Sequence, residues 1–135
     1  MTRHLLDVTD VTADEVREIL ALAETPVESL GRPLEGKGAA LIFEKPSNRT
    51  RHSMEMAVVQ LGGHPIYIQG SEVGLDVRES VEDVTNAMAG YHAAIGARVF
   101  SHAVVERMAA VDRVPFVNML SDTGPPRPAL AHLLT

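Results

Sequence analysis

Residues 44–51, Glu44-Lys45-Pro46-Ser47-Asn48-Arg49-Thr50-Arg51, hold three cations and three small hydrogen-bonding side chains. They sit between a continuously apolar run and a helical pattern, which gives them the makings of an anion site. Amides in the first turn of a helix have no intrahelical acceptor and carry the positive end of the helix dipole, so they favour an anion. The Ser47 and Thr50 hydroxyls can donate to the same oxygens, and the Arg49 guanidinium offers a planar fork matched to phosphate or carboxylate. Such a cradle needs no glycine-rich loop. The same residues also read as Ser47 capping an ordinary helix with arginines on a solvated face, because serine caps are common. Composition alone does not separate the two readings.

The elements that would position this segment follow from periodicity. Thr12-Ala13-Asp14-Glu15 forms a capping box. Val16, Ile19, Leu20 and Ala23 then repeat on one helical face, and Pro26 ends it. Residues 25–37, with Pro26, Gly31, Pro33 and Gly36, read as a loop. Gly38 to Phe43 has the pattern of a strand buried on both faces of a parallel sheet. Met54, Val58 and Leu61 mark a helix over 50–61, closed by Gly62-Gly63. A strand is expected over 64–69, a polar loop over 70–79, and a helix after the N-cap Ser80 with Val81, Val84 and Met88 inward. Further strands are expected over 93–100 and 114–119, with a helix over 103–110 between them, and a last helix over 129–134. Strands alternating with helices predict an α/β fold, a doubly wound parallel sheet flanked by helices. In such sheets ligands bind outside the carboxyl ends of the strands, which is where residues 44–51 fall.

Composition narrows the function classes. The chain has 135 residues, enough for one domain and thin for two. Its 18 acidic against 12 basic residues give a net charge of −6. That argues against a nucleic-acid or anionic-membrane surface, and an anion site must be a local concentration of arginine. There is no cysteine, hence no disulfide framework, thiolate zinc site or cysteine nucleophile. No apolar run approaches the ~20 residues of a membrane span. Residues 1–7 lack the apolar core of a secretory signal, so the expected compartment is the cytoplasm. His4, His52, His64, His92, His102 and His132 show no i, i+4 pair and no HExxH pattern, and read as scattered surface or loop histidines rather than metal ligands. Met54, Met56, Met88 and Met108 fall mostly at core spacing.

The exact string adds to this. Lys45-Pro46-Ser47-Asn48-Arg49-Thr50-Arg51-His52-Ser53-Met54-Glu55-Met56-Ala57, followed by Gln60-Leu61-Gly62-Gly63-His64, closely resembles the Ser-Thr-Arg-Thr-Arg carbamoyl-phosphate signature of aspartate and ornithine carbamoyltransferases. Ser71-Glu72-Val73-Gly74, Arg78-Glu79-Ser80 and Asp83 resemble the family's loop that reaches a neighbouring subunit's site. Ala94 to Arg98 resembles the strand ending in an arginine that contacts the carbamoyl group. Val114 to Asp122 resembles the strand leading into the family's His-Pro-x-Gln motif. The resemblance runs from Arg3 to Thr135. It implies that residues 1–135 are the N-terminal, carbamoyl-phosphate-binding domain, cut short at its C-terminal end and lacking the amino-acid domain. Lys45 in the signature, and the absence of lysines after Gly70, favour ornithine over aspartate; aspartate or another amino acid is the alternative.

What the resemblance implies is carbamoyl transfer to ornithine in arginine biosynthesis, in a homotrimer, with no cofactor or metal. Ser47, Asn48 through its amide, Arg49 and Thr50 would hold the phosphate, and Thr50 and Arg98 would polarise the carbamoyl oxygen, making Arg49, Thr50 and Arg98 the catalytic set. Arg51 is expected to pack or pair within the domain, and for Arg98 an ordinary strand-end salt bridge is the alternative. The chain departs from the family in three places. Asn48 replaces a threonine, a mild change at a position acting through its amide. Glu72 replaces a glutamine that meets the phosphate from the next subunit, where a carboxylate repels the anion. Pro125 and Pro128 stand at the motif's His and Gln, and proline offers neither a side-chain donor nor an amide. Losing one such donor typically costs ~10²–10³ in rate. A catalytically inactive remnant that at most binds phosphate or a partner subunit is therefore the rival reading.

Overall fold

The computed structural model describes residues 2–120. The element order is α1 (Ala13–Glu24), β1 (Gly38–Phe43), α2 (Asn48–Gln60), β2 (His64–Gln69), α3 (Gly70–Val73), α4 (Val81–Ala89), β3 (His92–Arg98), α5 (His102–Ala110) and β4 (Phe116–Leu120), with short 3-10 turns at Val8–Asp10 and Val27–Ser29. The four strands form one parallel sheet in the order β2-β1-β3-β4. The chain steps from β1 outward to β2, then crosses back to place β3 on the other side of β1. The connections that leave the carboxyl ends of β1 and β3 therefore run to opposite faces of the sheet, and the crevice outside such strand ends is where ligands bind in open α/β sheets.

The apolar run of β1 is explained by burial on both faces. Ala40 and Ile42 point to one side, where they join Ile95, Ala97, Val99, Val81, Val84, Val105, Met108 and Phe116 under α4 and α5. Leu41 and Phe43 point to the other, where they meet Met119, Met54 and Tyr67 under α2. This is the two-residue alternation of a strand with both faces covered. The N-terminal segment extends the sheet beyond β4: the Leu5 N–H donates to the Phe116 carbonyl and the Asn118 N–H to the Leu5 carbonyl, each at 2.8 Å. Asn118 Nδ2 donates to the Leu6 carbonyl at 2.9 Å. His4 completes this edge, with Nδ1 accepting from the Phe116 N–H at 3.1 Å and Nε2 facing Asp112 at 2.8 Å.

The capping box of α1 is present, with the Thr12 hydroxyl and the Glu15 carboxylate bonded reciprocally. Ser80 caps α4 through the Asp83 amide. Several expectations need correction. α2 begins at Asn48, two residues earlier than the apolar pattern suggests, because its first turn is polar and carries no apolar side chain to mark it. Residues 70–79 are not all loop: α3 makes one turn whose first residue is glycine, a poor helix former that conceals it. β3 ends at Arg98 rather than 100, and β4 starts at Phe116 rather than 114. Met56 is 53% exposed rather than core. His92 is not a surface or loop histidine: it is buried in β3, and its Nδ1 has no hydrogen-bond partner among the described residues. That nitrogen lies against Gly38, where a Cβ would stand 2.7 Å away. The expected helix at 129–134 lies outside the described residues, as do Pro125, Pro128 and His132.

Candidate functional site

The crevice between β1 and β3 is where residues 44–51 emerge. β1 ends at Phe43, and Ser47 caps α2 by accepting the Thr50 N–H at 3.4 Å. The capping reading of Ser47 is thus realised. It leaves the Asn48 and Arg49 amides, ahead of the first intrahelical bond made by the Arg51 N–H, at the positive end of α2.

The three cations of the segment have different fates. The Lys45 ammonium lies over the Phe100 ring, 5.0 Å from its centroid. Arg51 stacks on Tyr67 at 3.6 Å and pairs with Glu55 at 2.6 Å, so it is held within the domain as expected. Arg49 is exposed at the second position of α2 and has no carboxylate partner among the described residues. It is the one arginine of the segment left to meet an anion.

Arg98 arrives from the end of β3. Its Nη1 donates to the Thr50 hydroxyl at 3.1 Å, joining two residues 48 positions apart in the chain. Thr50 is buried and Arg98 half-buried, so this contact is partly shielded from water, where a charge-assisted hydrogen bond is strongest. The structure therefore brings Ser47, Asn48, Arg49, Thr50 and Arg98 to one end of the sheet. Glu72 is exposed on α3 after β2, on a different element from the cradle.

Two features of this region had no clear signal in the sequence. The first is Glu44, an acid in a basic segment, whose N–H donates to the Arg98 carbonyl at 2.9 Å and whose Oε1 accepts the Phe100 N–H at 3.0 Å. The second is a clamp on the adjoining loop. Arg107 of α5 reaches Asp76 with Nη1 at 2.6 Å and Glu82 with Nε at 2.8 Å and Nη2 at 2.7 Å. These bonds hold both carboxyls below the usual carboxylate range. Asp76 itself sits at a left-handed φ of 59°. The loop it fixes borders a cleft of about 340 Å³ lined by Glu44, Gly70, Leu75, Val77, Arg78 and Phe100. Among the described residues no three of His, Asp and Glu converge as metal ligands would, and no helix is long and apolar enough to cross a membrane.

A family model for the carbamoyl-phosphate-binding domain of aspartate/ornithine carbamoyltransferases matches residues 3–135. The chain belongs to this family. Its resemblance to these carbamoyltransferases extends over its whole length. It is 44% identical over 137 residues to ornithine carbamoyltransferase of Thermus thermophilus, covering 100% of this chain and 46% of that protein. It is 45% identical over 139 residues to the protein of that name from Parafrankia sp., covering 98% of this chain and 44% of the relative. The solved structure of ornithine carbamoyltransferase from Pyrococcus furiosus superposes with a TM-score of 0.90 at 40% identity, over 98% of this chain and 44% of that one. The chain thus spans under half the length of the carbamoyltransferases it matches.

Proposed function

We propose that this chain is the carbamoyl-phosphate-binding part of an ornithine carbamoyltransferase, which transfers the carbamoyl group of carbamoyl phosphate to the ornithine amine and yields citrulline and phosphate. The observation that carries the reading is the meeting of Arg98 with Thr50 beside an Arg49 that has no carboxylate partner among the described residues. The names of the relatives supply the amino-acid substrate. In this reading Ser47, the Asn48 amide, Arg49 and Thr50 hold the phosphate, and Thr50 and Arg98 donate to the carbamoyl oxygen. The amine attacks the carbonyl carbon, negative charge builds on that oxygen, and it passes to the departing phosphate. Donors fixed before the reaction stabilise that charge without reorganising, and holding the two reactants together supplies the rest of the acceleration.

The proposal extends to a place in arginine biosynthesis, a cytoplasmic location and a homotrimer, with ornithine held by a second domain. Glu72 is not assigned a phosphate contact, since its carboxylate would repel the anion. A second reading is favoured by one specific observation, the prolines at 125 and 128: a remnant that binds phosphate and turns nothing over. The two separate in a citrulline assay on a protein that joins this chain to a carbamoyltransferase amino-acid domain. Turnover that rises at least tenfold with Pro125→His and Pro128→Gln supports a transferase weakened at the motif. No citrulline from either version overturns the transferase reading.

A further inference from the structure

Glu44 is bonded to the chain at Arg98 and again two residues beyond it. Its backbone N–H donates to the Arg98 carbonyl at 2.9 Å, and its Oε1 accepts the N–H of Phe100, two residues on, at 3.0 Å. The next residue adds to the same strap, with the Lys45 ammonium over the Phe100 ring. A strap is needed at this point. β3 pairs with β1 without a shift from Ala39 opposite Ala94 to Phe43 opposite Arg98, whereas against β4 the register shifts between Ala97 and Arg98, the latter facing Leu120. Glu44 is where β1 continues past the end of the strand, and its N–H bonds the Arg98 carbonyl there. The stem of Glu44 is itself held closely: a Cβ at Gly70 would lie 2.8 Å from its Cγ.

A carboxylate is an unexpected choice beside an anion cradle, because its charge opposes the ligand. It is explained if its oxygen is required as a hydrogen-bond acceptor rather than as a charge. We propose that Glu44 is a positioning residue that sets where the Arg98 guanidinium stands relative to Thr50, and so tunes how strongly the site grips the carbamoyl oxygen. The inference rests on reading the cradle as a carbamoyl-phosphate site. Glu44 touches no phosphate in this account. It acts through the backbone at residues 98–100. Glutamine at position 44 keeps an acceptor oxygen at the same reach and loses the charge. Aspartate keeps the charge and falls one methylene short of the Phe100 amide.

The test uses Glu44→Gln, Glu44→Asp and Glu44→Ala in the full chain, with melting curves to identify any variant that fails to fold. Amide exchange at Phe100 reports the strap itself and does not depend on what the cradle binds. It should stay protected in Glu44→Gln and speed up at least tenfold in Glu44→Asp. Calorimetry with carbamoyl phosphate and with inorganic phosphate reports its effect on Arg98. Because Arg98 is assigned to the carbamoyl oxygen, Glu44→Asp should weaken carbamoyl phosphate about tenfold and inorganic phosphate less than threefold, with Glu44→Gln near wild type for both. Equal losses in Glu44→Gln and Glu44→Asp, or unchanged affinity in Glu44→Asp despite fast Phe100 exchange, overturn the inference. If Arg49→Ala leaves both affinities unchanged, the cradle reading fails. Phe100 protection in Glu44→Asp would then still overturn the strap.

Discussion

Arg98 and Thr50 meet through a 3.1 Å hydrogen bond that joins the end of β3 to the first turn of α2 across the crevice beside β1. The bond has two consequences. It places a guanidinium at the N-terminus of a helix that already favours anions, and it fixes the Thr50 hydroxyl as an acceptor from Arg98. Replacing Thr50 by valine keeps the shape and removes the hydroxyl. Thr50→Val is expected to weaken carbamoyl phosphate binding by about 10-fold or more, the usual scale for a hydrogen bond to a charged group, while Thr50→Ser stays within about threefold. Calorimetric titration of both variants checks this.

Arg51 lies two residues from Arg49 and has a different task. Its stacking on Tyr67 ties α2 to β2, and its pairing with Glu55 is an i, i+4 bridge within α2. Arg51→Ala is expected to cost about 1 kcal/mol of stability, the sum of a half-exposed ion pair and a surface cation–π contact. Carbamoyl phosphate affinity should change less than threefold. Urea melts and calorimetry on the same variant separate the two effects.

His92 predicts a pH dependence. Burial, with His64 nearby, pushes its imidazole below the ordinary histidine range. The unfolded chain therefore takes up a proton at a higher pH than the folded one, so stability rises with pH through that interval. The contribution is fully present above the unfolded value near 6.5 and is lost as the pH falls through the lowered folded value. Wild-type protein should lose melting temperature between pH 7 and pH 5. His92→Leu should flatten that slope, as thermal melts at half-unit steps would reveal.

Arg107 predicts a second dependence at lower pH. Its hydrogen bonds depress Asp76 and Glu82, so their contribution is present above the ordinary carboxylate range and lost as the pH falls through their lowered folded values. Arg107→Met should leave a shallower fall in melting temperature below about pH 4.5 than wild type shows. The loop at 74–80 should also become more open to proteolysis at neutral pH.

The sheet and its helices were legible in residue patterns because burial on two faces leaves a plain mark: β1 is one unbroken apolar run, and β2 matches its expected bounds. Caps at Thr12 and Ser80 were legible for the same local reason. The one-turn α3 was not, since four residues beginning with glycine carry neither periodicity nor propensity. Within the site, Ser47 to Thr50 could be read from the chain because one helix turn collects them. The contact from Arg98 needed the crossover order of the strands, and no spacing rule joins positions 48 residues apart. Glu44 and Arg107 carry no such signal because their partners are a backbone amide after β3, and one acid of the 74–80 loop with one of α4. His92 was read as a surface residue because a single polar residue at a strand start carries no periodic signal of burial.

In the proposed function, the turn from β1 into α2, with Arg98, binds carbamoyl phosphate through Arg49. The direct measurement is calorimetric titration of carbamoyl phosphate into the chain and into its Arg49→Ala variant at matched ionic strength. Saturable one-to-one binding to the wild type and at least a tenfold loss in Arg49→Ala, with the melting temperature unchanged, are expected. No saturable heat in the wild type, or equal affinity in the two proteins, would contradict the proposed function.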